Sequence, residues 1–384
     1  MTTFFAMPMR ALYALIFFLL PSTLVAQQPA APNAPPVAAK AYVLTDFNSG
    51  QLLVSHNPNQ RIEPASLTKL MTAYLTFSAL KQKTLKPDQV VPVSVRAWKS
   101  EGSRMFIEPN KPVVVEDLIK GMIVQSGNDA CVALAEVIGG TEEVFSQMMN
   151  REAQRLGMKS TNFMNSTGLP HSQHYTTAYD LSLLANAIVR DFPEYYPYYS
   201  LKEYRYNNIT QANRNRLLWV DPTVDGMKTG YTENAGYCLV TSARRGPRRL
   251  VSVVLGTSSE STRATESQKL LNYGFQFYDT VRLYEKGQAV SNVRVWKGNT
   301  NAVKAGFPYD LYLSVPKGVG EKLKASMETQ QPLIAPIAAG QKIGVLRVEL
   351  DGKPYGEFPV VALEDAPLAG ILGRGWDSLR LLFK

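Results

Sequence analysis

A chain of 384 residues, 45% of them hydrophobic and only 19% charged, holds ample apolar material for a packed core and more than one domain, which excludes an intrinsically disordered protein. Its two cysteines are too few for a disulfide-built scaffold; Cys131 and Cys238 lie in apolar segments and are expected as buried thiols. The formal charge of +9 suits an anionic polymer or membrane surface rather than nucleic acid, because the densest basic cluster, Arg244-Arg-Gly-Pro-Arg-Arg249, falls between two strand-like runs and reads as a solvated hairpin turn.

In chain order, residues 1–26 read as a secretory signal peptide, with Arg10, an apolar run from Ala11 to Leu20 and a small-residue exit at Ala26. A transmembrane anchor is the rival reading, but the run is about ten residues long where a span needs ~20. Residues 27–38 form a Pro/Ala-rich tether with nothing to bury. Strand-like pieces at 41–45 and 51–54 flank the turn Asn48-Ser-Gly50 and predict a hairpin. Helical patterns then dominate from Pro64 to Arg190, with Gly139-Gly140 and Gly157 as stops and Thr141 and Thr177 as N-caps; Thr177-Ala-Tyr-Asp180 has capping-box spacing.

Strands at 237–242 and 250–255 follow, then a helix over 261–279 with Leu270, Leu271, Phe275 and Tyr278 on one face. Strands with helices packed on them predict an α/β or α+β catalytic domain over residues 39–284. Short alternating strands at 311–315, 342–350 and 357–361, with the turn Asp351-Gly352, predict a small all-β domain over 285–363. Residues 366–384 place Leu368, Ile371, Leu372, Trp376, Leu379, Leu382 and Phe383 on one helical face, an amphipathic helix suited to a membrane surface or to docking on the protein itself.

Three short motifs carry the chemistry: Ser66-Leu-Thr-Lys69, Ser126-Gly-Asn128 and Lys228-Thr-Gly230. Singly they are weak, since Ser-x-x-Lys recurs at Ser78 and Ser314 and Ser-x-Asn at Ser55 and Ser160. Position selects among them. Pro64 favours a helix start, so Ser66 falls in a first turn whose free N–H groups stabilise negative charge, with Lys69 one turn on and on the same face. A lysine works as a base near neutral pH only when buried or set beside another cation, and Lys228 is the candidate cation. Thr229 and Gly230 suit a strand edge that pairs with a peptide substrate. Ser126 and Asn128, on a turn before a helix, suit proton relay and amide binding.

The ordered trio is a signature of penicillin-binding proteins and class A β-lactamases. With Pro64-Ala-Ser-Leu-Thr-Lys69, Gln125-Ser-Gly-Asn-Asp-Ala-Cys131, Asn213-Arg-Asn215 and Val224-Asp-Gly-Met-Lys-Thr-Gly230, nearly the whole chain resembles the low-molecular-mass penicillin-binding proteins of the D-alanyl-D-alanine carboxypeptidase family. The resemblance implies an α/β (α+β) catalytic domain of the β-lactamase/transpeptidase type and a small C-terminal all-β domain that holds it off the bilayer, with the terminal helix as anchor. It implies export to the periplasmic face of the inner membrane. It further implies acylation of Ser66 by the penultimate D-alanine of a peptidoglycan stem peptide, release of the terminal one, and acylation by β-lactams. The backbone N–H groups of Ser66 and Tyr231 are the implied oxyanion hole, and Arg263 the implied carboxylate ligand, with Arg214 a further pocket residue. Relatives often carry His where this chain has Tyr231, which bears on fine specificity rather than on a backbone role.

A serine β-lactamase needs a glutamate-held water for fast deacylation, and residues 161–169 contain no acid. A D-Ala endopeptidase is a variant of the same chemistry. A silent peptidoglycan-binding protein is the non-enzymatic rival, and it has no need of an activated nucleophile. No cofactor is expected. His56, His171 and His174 include an H-x-x-H pair without an acidic or Cys ligand set, so no metal is expected either.

Overall fold

A computed structural model describes residues 31–382. The expected signal peptide, the start of the tether, Phe383 and Lys384 lie outside the described residues. Five antiparallel strands form the central sheet: β1 (Ala41–Asp46), β2 (Leu52–His56), β3 (Val224–Thr232), β4 (Gly236–Arg245) and β5 (Arg248–Thr257), in the order β2-β1-β5-β4-β3. The expected hairpins are present as β1–β2 and β4–β5. Side chains alternate across the sheet. Ala41, Val43, Val240, Val251 and Val253 pack with the helices α1 (Lys69–Lys81), α2 (Asn128–Gly139), α3 (Glu142–Arg155) and α4 (Ala178–Asp191). Leu44, Leu239, Leu250 and Val254 instead join Leu270 and Leu271 of α5 (Glu260–Phe277). Two covered faces explain why β5 reads as a nearly unbroken apolar run.

The helix signals operate as expected, with one departure. Thr141 Oγ1 caps α3 by accepting from the Val144 N–H at 3.2 Å, and Thr177 Oγ1 caps α4 by accepting from the Asp180 N–H at 3.1 Å. Asp180 does not reach back to close a capping box. Its carboxylate accepts from the Ser160 N–H (2.8 Å) and the Thr161 hydroxyl (2.7 Å), pinning the loop that leads to the site. Much of the stretch expected to be helical is loop: residues 99–112 and 156–177 have almost no regular structure, and both reach the active-site cavity.

Three further expectations are corrected. The helix expected to run to Asp279 stops at Phe277, and Tyr278–Tyr284 is a strand paired with Leu311–Pro316 of the β-rich part; pairing with that strand overrides a helical face that Tyr278 would have extended. The basic turn is not merely solvated. Arg249 makes a bidentate pair with Asp225 (2.7 Å twice), Arg248 reaches Thr280 Oγ1 (2.8 Å) and the Tyr278 carbonyl (2.6 Å), and Arg245 reaches Asn272 (2.7 Å). The described part of the tether is seated on α5, where the Pro36 carbonyl accepts from Lys269 (2.9 Å), the Pro32 carbonyl from the Tyr273 hydroxyl (2.5 Å), and Val37 packs on the neighbouring apolar cluster.

The second part is a six-stranded sheet whose order is Leu323–Thr329, Lys342–Leu350, Lys353–Ala362, Ala302–Gly306, Ala289–Trp296, Leu333–Ile334, built over its own apolar cluster. It is bolted to the β1–β2 turn by Ser314, whose N–H donates to Gln51 Oε1 at 2.6 Å and whose hydroxyl meets that of Ser49 at 2.7 Å. The terminal helix, α6 (Ile371–Leu381), starts later than expected because residues 366–369 run extended along this domain: Ala366 exchanges backbone bonds with Ile337, and the Ala369 N–H donates to the Lys297 carbonyl at 2.9 Å. Among the described residues, no helix is long and apolar enough to cross a membrane.

Candidate active site

Pro64 does not enter an α-helix directly. It caps a 3-10 turn, Ala65–Thr68, that runs into α1, and Ser66 sits in this turn while Lys69 is the first residue of α1. Two glycines allow the turn to be enclosed. A Cβ on Gly168 would lie 1.8 Å from the Ala65 carbonyl oxygen, which rules out a side chain there, and one on Gly230 would lie a tight 3.1 Å from that of Pro64, so loop 156–177 and the edge strand β3 both approach the turn closely. Thr72 holds the loop by donating to the Ser166 carbonyl at 2.7 Å.

Lys69 is 1% exposed, and its Nζ donates to Ser66 Oγ (3.0 Å), Asn128 Oδ1 (2.7 Å) and the Thr167 carbonyl (2.6 Å). The Asn128 amide is oriented by its own Nδ2, which donates to the Glu101 carbonyl at 2.6 Å. Three donated bonds belong to the ammonium; once deprotonated, the amine keeps two N–H bonds and gains one lone pair. Asn128 and Thr167 offer only acceptors, so they take both N–H groups, and the lone pair is left facing the serine hydroxyl. Burial lowers the Lys69 pKa to about 8; Cys131 opposes the shift, Arg214 adds to it and Asp129 opposes it.

Lys228 was expected to supply the cation that depresses Lys69; burial is the largest cause of that shift, and Arg214 is a cation that adds to it. Lys228 is 3% exposed and bonds only the Thr229 carbonyl, at 3.1 Å. Burial first, then Lys69 and Arg214, hold its pKa well below the ordinary value. Burial governs both amines.

Ser126 takes a left-handed conformation (φ 61°) at the end of a π-helical turn, Gly121–Gln125, and its buried hydroxyl has no hydrogen-bond partner among the described residues. Arg214 is exposed because Asn213 and Asn215 on either side lock the loop: Asn213 Nδ2 donates to the Leu201 carbonyl at 2.9 Å and Asn215 Nδ2 to the Gly226 carbonyl at 3.0 Å. Arg263 is buried on α5 and donates to the Gly230 carbonyl at 3.4 Å and to Glu260 at 3.2 Å. Tyr231 is half exposed, its ring 4.4 Å from that of Tyr237.

Ser66, Ser126, Asn128, Arg214, Thr229, Gly230, Tyr231 and Arg263 line one cavity of about 340 Å³, with Lys69 and Lys228 buried at its floor. Every side chain singled out in the sequence is therefore at one place. The sequence reading missed the Thr167 carbonyl, Gly168 and Glu260; the first has no side-chain signal, whereas Gly168 stands in a Thr-Gly pair that flags a turn.

Residues 27–259 match the family model described as D-alanyl-D-alanine carboxypeptidase, and residues 278–367 match that of the penicillin-binding protein 5 C-terminal domain. The chain belongs to the D-alanyl-D-alanine carboxypeptidase family. It is 40% identical over 378 residues to the D-alanyl-D-alanine carboxypeptidase DacC of Escherichia coli (strain K12), covering 96% of this chain and 94% of that one. Penicillin-binding protein 5 from Haemophilus influenzae superposes with a TM-score of 0.84 at 43% identity, covering 87% of this chain and 98% of the other. Penicillin-binding protein D2 from Listeria monocytogenes, solved in its ampicillin-bound form, matches with a TM-score of 0.56 at 30% identity over 63% of this chain and 100% of that one. A serine D-Ala-D-Ala carboxypeptidase with a catalytic domain and a C-terminal all-β domain is the result.

Proposed function

We propose that Ser66 is the acyl-ester nucleophile of this carboxypeptidase and that Lys69 is its general base, a reading carried by the lone pair that Asn128 and Thr167 leave facing the Ser66 hydroxyl. The penultimate D-alanine carbonyl of a stem peptide is attacked by Ser66 Oγ as Lys69 takes its proton. The backbone N–H groups of Ser66 and Tyr231 stabilise the oxyanion, a feature that contributes roughly 3 kcal/mol per donor in other acyl-transfer enzymes. Ser126, with an unmade hydrogen bond, passes a proton to the leaving amine, and Lys228 supports it. Thr229 and Gly230 pair with the substrate backbone along the free edge of β3, and Arg263 and Arg214 attract its carboxylate. Water then hydrolyses the acyl-enzyme.

β-Lactams acylate the same serine, and the adduct is long-lived. Glu142, an acid outside residues 161–169, has structural partners: one oxygen accepts from the Ser166 N–H (3.0 Å) and hydroxyl (2.6 Å), the other from Arg96 (2.8 Å). Residues 161–169 contain no acid to hold a hydrolytic water. Release of D-alanine from diacetyl-L-lysyl-D-alanyl-D-alanine, with Ser66→Ala as control, tests the assignment. Equal release by the variant removes Ser66 from the mechanism, and rapid turnover of benzylpenicillin removes the long-lived adduct.

The signal-like N-terminus and α6 support export and peripheral attachment to the inner membrane from its periplasmic side. Ile371, Leu372, Trp376, Leu379 and Leu382 are 50–90% exposed, so the apolar face of α6 is not docked on the protein. An interfacial helix of this kind binds through buried apolar area and cations near anionic lipid. Truncation after Gly370 keeps Ala366 in place and tests the anchor; unchanged recovery with membranes overturns it.

A further inference from the structure

Arg263 and its surroundings do not form a settled ion pair. Its side chain is 4% exposed, yet it makes only two bonds, at 3.2 Å to Glu260 Oε1 and 3.4 Å to the Gly230 carbonyl, both at the long end of the range for a guanidinium donor. The Tyr237 ring, 5.6 Å from the guanidinium carbon, supplies a further weak contact. Five N–H donors are thus served by two stretched bonds and a ring face. Burial, ahead of any neighbour, disfavours the charged form, and Glu260 is the chief group opposing that.

Glu260 differs in kind from its partner. It is the first residue of α5, after the N-cap Ser259, it lines the cavity beside Arg263, and its side chain is 57% exposed. Among the described residues only Arg263 holds its carboxylate, so it can turn into solvent. An acid at a helix N-terminus is favourable by itself, and that would account for its presence on α5. It would not account for a carboxylate at the rim of a cavity whose substrate carries a carboxylate.

Resting on the reading that this cavity takes a C-terminal D-alanine or the carboxylate of a β-lactam, we infer that Glu260 is a placeholder counter-ion for Arg263, which the carboxylate of the incoming ligand displaces. Glu260 therefore sets how strongly the enzyme prefers acids over neutral analogues. In the free enzyme it holds the buried guanidinium at the cavity wall. On binding, the ligand carboxylate takes the Arg263 donors and Glu260 turns outward, so part of the ligand's attraction is spent on breaking the resting pair. Glu260 acts through Arg263 and is a positioning residue rather than a catalytic one.

The test compares second-order acylation rates for benzylpenicillin and its methyl ester, using the full-length enzyme. Glu260→Gln keeps an acceptor for Arg263 and removes the competing charge. Because Glu260 is exposed and screened, the acid-to-ester rate ratio is expected to rise by about three- to fivefold. In an Arg263→Gln background the ratio is lower, and adding Glu260→Gln changes it no further. A loss of helix stability alone would lower both rates together and leave the ratio unchanged, which overturns the inference. An equal gain in the Arg263→Gln background also overturns it, because direct repulsion would then explain the effect. Failure of the wild type to release D-alanine while β-lactams still acylate it would sink the carboxypeptidase reading and leave this one standing.

Discussion

Two groups of buried cations lie on and around the central sheet, and they are built in opposite ways. At the β4–β5 turn, Arg249 meets both oxygens of Asp225 at 2.7 Å and the Ser242 hydroxyl at 2.6 Å. Burial opposes its charge, but Asp225 and Tyr196 together more than offset this and raise its pKa. Around the cavity, Lys69 and Lys228 have no carboxylate within ion-pair distance among the described residues, and Arg263 has only the long contact to Glu260. There burial wins, and all three groups are pushed down. A buried charge that is fully paired holds the fold; one left short of partners stores reactivity at a cost in stability.

The contrast is broken most severely at Lys69. Lys69→Met removes the base and should slow acylation by benzylpenicillin by ~10²–10⁴, the range for general-base catalysis. The same change should raise stability at pH 7. The folded-state pKa of about 8 lies below the ordinary 10.5, so beneath pH 8 the folded enzyme carries the full penalty of a buried cation. The penalty is relieved as pH rises from 8 towards 10.5, where the unfolded chain holds the proton and the folded one does not. A shift of this size corresponds to ~3 kcal/mol, and orphaning the oxygens of Asn128 and Thr167 offsets much of it, leaving a gain of roughly 1 kcal/mol by denaturant unfolding. A Lys69→Met protein that is both inactive and less stable would break the comparison.

Acylation by the wild type should rise about tenfold per pH unit up to about pH 8 and then level off, as the neutral amine becomes fully populated. A profile flat from pH 6 to 9 would separate Lys69 from proton transfer. Ser126→Ala comes next in size, with a loss of about a hundredfold in D-alanine release and little change in unfolding midpoint, because the hydroxyl removed has no partner to lose.

What the sequence revealed and what it concealed divide along a physical line. Ser66 and Lys69 are legible because three positions along a helical turn bring two side chains to one face. Arg214 is legible only through the resemblance of Asn213-Arg-Asn215 to the family. The Thr167 carbonyl is not, since a backbone acceptor contributed from 98 residues away leaves no residue-type signal. The weight of burial on Lys69 is not legible either, because it is set by how the surrounding elements pack and not by any one residue type. Tyr278 was misplaced because it extends the apolar face of α5, and only the partner strand at 311–316 reveals where the helix ends. The basic turn was misread for the complementary reason: its partners Asp225, Asn272 and Thr280 are scattered in sequence, and composition alone makes such a cluster look solvated.

Arg249→Met supplies the mildest test and reverses the sign of the Lys69 result. Methionine fills similar space but leaves the Asp225 carboxylate with the Tyr196 hydroxyl, at 2.9 Å, as its side-chain donor. Stripping a partner from a fully buried pair costs about 3–5 kcal/mol; Asp225 keeps 31% exposure and recovers some hydration, so a loss of about 2 kcal/mol is expected. Arg249 lines a different cavity, of about 650 Å³, and shares no hydrogen-bond partner with Lys69 or Ser66, so acylation measured below the unfolding midpoint should stay within about twofold of wild type. A larger fall in rate without a fall in stability would mean that the paired end of the sheet also sets the geometry of the unpaired one, and that the two kinds of buried charge are not independent.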